Sequence, residues 1–181
     1  QQMVRLIDDL LDVGRITSGK IKLDFEPVRL AGVVTDAIEM VQPLLEQHRH
    51  ALSVSLDDRP VWVMGDRARL LQVVSNLLNN AAKYTPPQGR IDVAVRNDGN
   101  RVEIRVKDNG PGIAPAHLKD IFNLFVQVEH RPDNGGLGLG LSLVQQLVTL
   151  HRGEVSVFST GEAGKGSEFV VSLPTIATPA D

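Results

Sequence analysis

Apolar residues recur at the spacing of an α-helix in four parts of the chain. The first stripe consists of Met3, Leu6, Ile7, Leu10 and Leu11, and the helix it predicts ends by Ser18-Gly19. A second helix is predicted over residues 30–48, with Pro43 as a kink. A third follows Asp66, a candidate N-cap, and a fourth spans residues 141–150. Because the first stripe begins at the start of the sequence, its partner helix is expected upstream or on another subunit.

Alternation of apolar and polar residues predicts the strands. The strongest signal is a hairpin, residues 90–96 and 101–108, which alternate on either side of an Asn-Asp-Gly-Asn turn. Shorter segments predict further strands at residues 21–25, 51–56, 154–159 and 167–173, and residues 61–64 form a short apolar run. Residues 110–140 form a long predicted loop with a helical insert at 114–125, and residues 175–181 a frayed tail.

The order of these elements shows no regular βαβ alternation. It therefore predicts an α+β fold: a two-layer α/β sandwich with helices on one face of a mixed, mostly antiparallel sheet, preceded by an N-terminal helix. One main domain is expected for 181 residues, of which 42% are hydrophobic.

Composition narrows the classes of function. A net charge of −3 argues against a nucleic-acid binder with a broad basic face, although it leaves room for a nucleotide. With no cysteine, the chain has no disulfides, thiolate metal sites or cysteine nucleophiles. No apolar stretch is long enough to cross a bilayer, so this part of the protein is expected outside the membrane.

The run NLLNNAAKYTP, residues 76–86, places polar groups on one side of the third helix. Asn76, Asn80, Lys83 and Tyr84 stand at i, i+4, i+7 and i+8, while leucines and alanines occupy the other side. Carboxamide oxygens suit Mg2+, and lysine supplies a positive charge for phosphate. An ordinary solvated helix face explains the segment alone equally well.

Two glycine-containing segments add to this chemistry. Asp108 ends a predicted strand and opens the sequence DNGPG, where a carboxylate could accept a hydrogen bond from the exocyclic amine of adenine. Residues 135–141, GGLGLGL, lead into the fourth helix and could turn backbone N–H groups toward a polyphosphate. Each segment has a plain alternative, a polar turn and a flexible loop. The Rossmann and P-loop fingerprints, which also use glycines, do not fit the element order.

Taken together, these segments resemble the catalytic ATP-binding domain of sensor histidine kinases, within the superfamily that includes gyrase, Hsp90 and MutL. Residues 76–84 match the N box, 108–112 the G1 box, 121–125 the F box, 136–140 the G2 box and 164–167 a terminal glycine turn, all in family order. The resemblance implies a Bergerat-type fold over residues 20–174. Residues 1–19 resemble the second helix of the family's dimerisation and phosphotransfer hairpin, and Leu137 stands where many members have Thr.

The resemblance also implies the roles of individual residues. Asn80 would bind Mg2+ with help from Asn76, Lys83 would contact phosphate, Tyr84 would pack at the nucleotide and Asp108 would bind the adenine amino group. Phe122 and Phe125 would anchor a lid from which Arg131 could reach the triphosphate. The remaining ATP-binding set is Gly110, Gly112, Ile113, Gly136, Leu137, Gly138, Leu139 and Gly140.

None of the five histidines fits the family's phosphoacceptor position, so each is expected to be solvated or capping. The resemblance therefore implies a cytoplasmic fragment of a homodimeric kinase. It would use a hairpin domain of the same protein as acceptor and a response-regulator receiver domain as the next partner. A non-catalytic ATP-sensing or docking module and a serine kinase of the same superfamily are the alternatives.

Overall fold

The computed structural model describes residues 2–127 and 138–180, apart from the side chains of residues 2, 3 and 5. Over these residues the chain forms four α-helices and seven strands. In chain order they are α1 (Gln2–Thr17), β1 (Glu26–Arg29), α2 (Leu30–Gln47), β2 (Ala51–Ser55), β3 (Trp62–Gly65), α3 (Arg67–Tyr84), β4 (Arg90–Asn97), β5 (Arg101–Asp108), α4 (Gly140–Leu150), β6 (Glu154–Ser159) and β7 (Ser167–Pro174).

The predicted α+β sandwich with a mixed, mostly antiparallel sheet is confirmed. Five strands pair in the order β2-β4-β5-β7-β6, and only the β2–β4 pair is parallel. The predicted hairpin is the centre of this sheet, with Val93 opposite Val106 and Val95 opposite Ile104. A separate antiparallel pair joins β1 to β3.

Period-two patterning decides which face of the sheet is covered. Alternate residues of the two hairpin strands are fully buried, and they pack with leucines and valines of α2, α3 and α4 in one core. The intervening residues form an open face where Arg105 pairs with Glu103 and Glu168. The site described below lies at the edge of the covered side.

Helix α3 begins as the sequence predicts. Asp66 is its N-cap, and a side-chain oxygen of Asp66 accepts a hydrogen bond from the backbone N–H of Arg69 at 3.1 Å. The second Asp66 carboxylate oxygen accepts from the backbone N–H of Asp24 at 3.1 Å. The segment before β1 is therefore tied to the start of α3.

Helix α1 lies against the rest of the chain along one side. Val13 is buried in the common core, and Asp12 pairs with Arg69 of α3 at 2.6 Å. The apolar stripe on its other side is about half exposed at Ile7, Leu10 and Leu11. The side chain of Met3, also assigned to this stripe, lies outside the described part.

One sequence prediction is wrong, and the predicted helical insert at residues 114–125 holds only in part. Residues 21–25 are not a strand, because the backbone pairs with β3 only from Glu26 onward. Residues 114–125 contain no α-helix: a 3-10 helix at Pro115–His117 is followed by turns held by three-residue hydrogen bonds, such as Asp120 N–H to His117 O. In the tail, for which fraying was expected, Ile176 forms a β-bridge with Trp62.

Candidate functional site

A single pocket collects residues from α3, the end of β5, the start of β7 and the first turn of α4. Its lining residues are Asn80, Ala81, Tyr84, Asp108, Pro111, Gly112, Ile113, Ile121, Val126, Gln127, Leu141, Ser167 and Phe169. Asn80 and Asp108, which are 28 positions apart in sequence, therefore face one cleft. Most of the lining residues are apolar, and Asn80 and Asp108 add polar groups from α3 and β5.

The polar face of α3 supplies one end of the pocket. Asn80 lines it directly, while Asn76, one turn earlier, is buried. The amide nitrogen of Asn76 is buried without a hydrogen-bond partner among the described residues. A buried unsatisfied amide is costly, so Asn76 is a candidate for contact with a bound group.

Lys83 lies half-buried on the next turn. Its ammonium group sits 5.5 Å from the centroid of the Tyr84 ring. Desolvation lowers the pKa of Lys83 below its ordinary value of 10.5. An anion placed nearby would oppose that shift, because it stabilises the charged ammonium.

The pocket also contains a buried carboxylate. Asp108 is 6% exposed. Its Oδ1 accepts hydrogen bonds from the backbone N–H groups of Gly110 at 2.9 Å and Ser167 at 3.4 Å, and its Oδ2 accepts from the Ser167 hydroxyl at 2.9 Å. These donors fix the carboxylate and leave an acceptor edge on the pocket for an amine.

Two glycine turns meet beneath Asp108. Gly166 has φ +61°, and a Cβ on it would overlap the backbone carbonyl of Asp108. Gly112 has φ +76°, and a Cβ there would be 2.9 Å from Ser159 Oγ. The Ser159 hydroxyl accepts from Ile113 N–H and donates to Gly166 O, both at 2.8 Å, so one side chain joins the two turns.

Sequence reasoning missed Ser159 and Ser167. Both stand at the facing ends of β6 and β7, where Ser159 pairs with Ser167. The signal that could have identified these serines is the strand pairing. Strands β5 and β7 are neighbours with Lys107 opposite Glu168, which brings Asp108 beside Ser167.

The loop over the pocket is anchored by one phenylalanine. Phe122 packs edge-on against Phe169 of β7, with ring centroids 6.3 Å apart. Phe125 was predicted to anchor the loop as well, but this residue is 62% exposed. Its contribution is a backbone hydrogen bond from its N–H to Gly138 O at 3.2 Å.

The glycine loop is described only from Gly138 onward. Gly138 has φ +68°, and a Cβ on it would approach Val126 O to 2.7 Å, so this position requires glycine. Leu139 is buried in the interior, and a Cβ on Gly140 would meet open space at the start of α4. Gly136, Leu137, Arg131 and His130 lie outside the described residues, and their assigned roles stay predictions.

The remaining histidines are held in structural contacts or exposed. The Nε2 atom of His50 lies 3.0 Å from Thr85 O. His151 caps the end of α4, one of the two roles expected for it. His117 is exposed in the 3-10 helix.

The donor set of the pocket fits magnesium better than a transition metal. Over the described ranges no three His, Cys, Asp or Glu side chains converge on a metal site. The carboxamide of Asn80 is a hard, neutral ligand of the kind Mg2+ takes when phosphates and water fill the rest of its shell.

A membrane-spanning segment is not found among the helices of the described residues, which are too short or too polar for one.

Comparison with known proteins gives one consistent family. Residues 65–177 match the family model described as histidine kinase-, DNA gyrase B- and HSP90-like ATPase. Over 187 residues the chain is 35% identical to the circadian input-output histidine kinase CikA of Synechococcus elongatus, covering 100% of this chain and 24% of the relative. Over 183 residues it is 39% identical to the sensor histidine kinase TrcS of Mycobacterium tuberculosis, covering 97% and 35%. The chain thus spans about a third or less of each relative.

Solved structures agree with the sequence matches. Full-length ShkA in complex with AMPPNP superposes with a TM-score of 0.85 at 30% identity, over 99% of this chain and 37% of that one. The mycobacterial sensor histidine kinase MprB gives a TM-score of 0.75 at 30% identity, over 86% of this chain and 100% of that one.

Proposed function

This chain belongs to the histidine kinase-, DNA gyrase B- and HSP90-like ATPase family, and we propose that it is the catalytic ATP-binding part of a two-component sensor histidine kinase. The observation that carries the proposal is the shared pocket of Asn80 and Asp108, which offers a metal and phosphate ligand at one end and a base acceptor at the other.

In this proposal the adenine ring enters between the apolar walls and directs its amino group at Asp108. The carboxylate is already oriented by Gly110 and Ser167, so it loses little conformational entropy when it accepts a hydrogen bond from the amine. Guanine carries a carbonyl oxygen where adenine carries this amine, and that oxygen would face the carboxylate without a hydrogen between them. Asp108 therefore selects adenine nucleotides.

The phosphates extend toward the polar face of α3 and the glycine loop. Asn80, assisted by Asn76, would hold Mg2+, which when bound neutralises phosphate charge and favours attack on the γ-phosphorus. Lys83 supplies a fixed positive charge next to the phosphates. Gly136, Gly138 and Gly140 would allow the backbone to approach them, with further N–H donors from Leu137 and Leu139.

The phosphoacceptor is proposed to be a histidine on the hairpin domain, of which α1 is the second helix. The imidazole would attack the γ-phosphate, the bond to the β–γ bridging oxygen would break and ADP would leave. The phosphoryl group would then pass to an aspartate of a response-regulator receiver domain. In this proposal the whole protein is a homodimer with its catalytic part in the cytoplasm.

Calorimetric titration with ATP and GTP, each with and without Mg2+, tests the nucleotide site. We expect Mg-dependent ATP binding and weak GTP binding; Asn80→Asp should weaken Mg-ATP binding, and Asp108→Asn should reduce discrimination between the bases. Equal affinity for the two nucleotides, or indifference to the metal, contradicts the proposal.

A transfer assay separates a kinase from an ATP-sensing module. The chain is mixed with ATP labelled at the γ-phosphate and with the separately purified hairpin domain that contains the acceptor histidine. Acid-labile, alkali-stable label on the hairpin supports the kinase. ATP binding without transfer supports the sensing module instead, and acid-stable label would indicate a serine kinase.

A further inference from the structure

The two halves of the proposed phosphate site lie on neighbouring helices, one at the C-terminal end of α3 and the other at the N-terminal end of α4. Asn80 and Lys83 lie near the C-terminal end of α3, whereas Gly138 and Gly140 lie at the N-terminal end of α4. At the far end, the backbone N–H of Asp66, the N-cap of α3, donates to Nε2 of His151, the C-cap of α4, at 3.0 Å. The helices are therefore antiparallel neighbours joined by a hydrogen bond away from the pocket.

Both ring nitrogens of His151 form hydrogen bonds at this junction. The side chain is 4% exposed, and its Nδ1 lies 2.7 Å from Leu147 O in the last turn of α4. A backbone N–H can only donate, so Nε2 must be the acceptor and Nδ1 must carry the hydrogen that it donates to Leu147. One tautomer thus connects the end of α4 to the beginning of α3.

Close packing fixes the plane of the ring. A Cβ on Gly65 would come within 2.8 Å of His151 Cδ2, and the ring of Phe25 lies on another side at a centroid distance of 5.3 Å. Together with the hydrogen bonds of both ring nitrogens, these contacts restrict the imidazole. A directional hydrogen bond between the helix ends adds a defined axial position to the side-chain packing between the helices.

We propose that His151 is a positioning residue for the phosphate site. By fixing the C-terminal end of α4 against Asp66, it holds the N-terminal end, about 16 Å away along an 11-residue helix, at the spacing from Asn80 that a triphosphate requires. A shift of about 1 Å in such a positioned group can cost on the order of 100-fold in rate. This inference rests on the proposed nucleotide-binding function.

Two amide substitutions that differ by one methylene group test the junction. His151→Gln can place an amide oxygen where Nε2 accepts from Asp66, whereas His151→Asn can reach only the position of Nδ1. We expect His151→Asn to weaken Mg-ATP binding about tenfold, because the Asp66 N–H loses its buried acceptor. His151→Gln should stay within about threefold of the unmodified protein.

Adenosine, which lacks phosphates, separates a defect of the phosphate site from a general loss of stability. A general loss of stability would weaken the binding of ATP and of adenosine together. The base pocket takes only Leu141 from α4 among its described lining residues, so adenosine affinity should change less than about twofold in either variant. Val95→Ala is the matched control, because it removes buried volume from β4 without contacting the junction. It should lower the melting temperature and leave the ratio of ATP to adenosine affinity unchanged.

Parallel losses of ATP and adenosine affinity in His151→Asn, or an unchanged ATP affinity, would overturn the inference. If the unmodified chain binds no ATP, the proposed function fails instead. Should His151→Asn not fold, amide hydrogen exchange of Asp66 in the unmodified protein decides. Because coupling is reciprocal, Mg-ATP should slow this exchange more than adenosine does, and equal exchange with both ligands contradicts the inference.

Discussion

Ser167 donates its hydroxyl hydrogen to Oδ2 of Asp108 at 2.9 Å, so the carboxylate proposed to recognise the base is held by a side chain 59 residues further along the chain. We expect Ser167→Ala to leave Asp108 with one fewer donor and more freedom to rotate. Adenine nucleotide affinity should fall about tenfold, the equivalent of one hydrogen bond to a charged group. Calorimetry with ATP measures the change.

Ser172→Ala is the control on the same strand. Ser172 faces the open side of the sheet, where its hydroxyl accepts a hydrogen bond from Arg101 at 2.8 Å, and it does not line the pocket. Its loss should leave ATP affinity unchanged. Equal effects of the two alanine substitutions would show that the Ser167 hydroxyl does not act through Asp108.

Two glycines of the same turn separate backbone strain from packing. Gly166 and Gly164 have φ +61° and +86°, but only a Cβ on Gly166 overlaps the Asp108 carbonyl, while Gly164 faces open space. Gly164→Ala should cost about 1–2 kcal/mol in free energy of unfolding, the penalty of a left-handed conformation. Gly166→Ala should cost clearly more and abolish ATP binding.

Thermal or urea unfolding of both variants, together with ATP titration, checks this prediction. Retained ATP affinity in a folded Gly166→Ala protein would contradict the close approach of the terminal turn to Asp108. A Gly164→Ala protein that also loses ATP binding would show that the conformation of the turn, and not the contact, is what the pocket needs.

These residues show what the sequence can and cannot predict. The N-cap Asp66, the hairpin of β4 and β5 and the polar face of α3 depend on neighbours within a few positions, so their patterns are readable. The bond from Ser167 to Asp108 depends on which strands pair, and alternation gives the face of a strand but not its partner.

The predictions for residues 21–25 and 114–125 depart from the structure for the same reason: the local side-chain pattern does not determine the partners of the backbone. Ile21, Leu23 and Phe25 alternate as a strand would, yet pairing with β3 begins only at Glu26. Residues 114–125 have helix-forming side chains, but their backbone closes three-residue turns instead. The position of Phe125 could not be predicted either, since its backbone has a φ of +62° and bonds to Gly138, which is 13 positions away.

Asp12 connects α1 to α3. Its Oδ2 pairs with Arg69 at 2.6 Å and accepts from Gln72 at 3.1 Å, and the carboxylate is largely buried. Asp12→Asn removes the charge that Arg69 needs, at a cost of about 1.5–3 kcal/mol to the docking of α1. Hydrogen exchange should become faster across α1 and stay unchanged in β4 and β5.

Asp8→Asn is the control for this helix, because Asp8 is exposed one turn before Asp12. Faster exchange in both variants would mean that helix propensity, and not the contact with Arg69, governs the order of α1. Unchanged exchange in Asp12→Asn would mean that the other contacts of α1, such as the burial of Val13 and Ile16, hold the helix in place.

Lys83 predicts a proton linkage to nucleotide binding. Desolvation lowers its pKa below 10.5, so in the alkaline range just below that value the folded, unliganded protein carries fewer protons on Lys83 than the unfolded chain does. The stability contributed by this group therefore rises with pH through that range, as its burial penalty is relieved. A bound triphosphate favours the charged ammonium and raises the pKa again. ATP binding should consequently take up protons there, and affinity should fall as pH rises.

Titration calorimetry in two buffers of different ionisation enthalpy measures the uptake. Lys83→Arg, which stays charged, should abolish it, whereas Lys107→Arg on the exposed face of β5 should not. Proton uptake that persists in Lys83→Arg would place the titrating group elsewhere and remove the argument that Lys83 contacts phosphate.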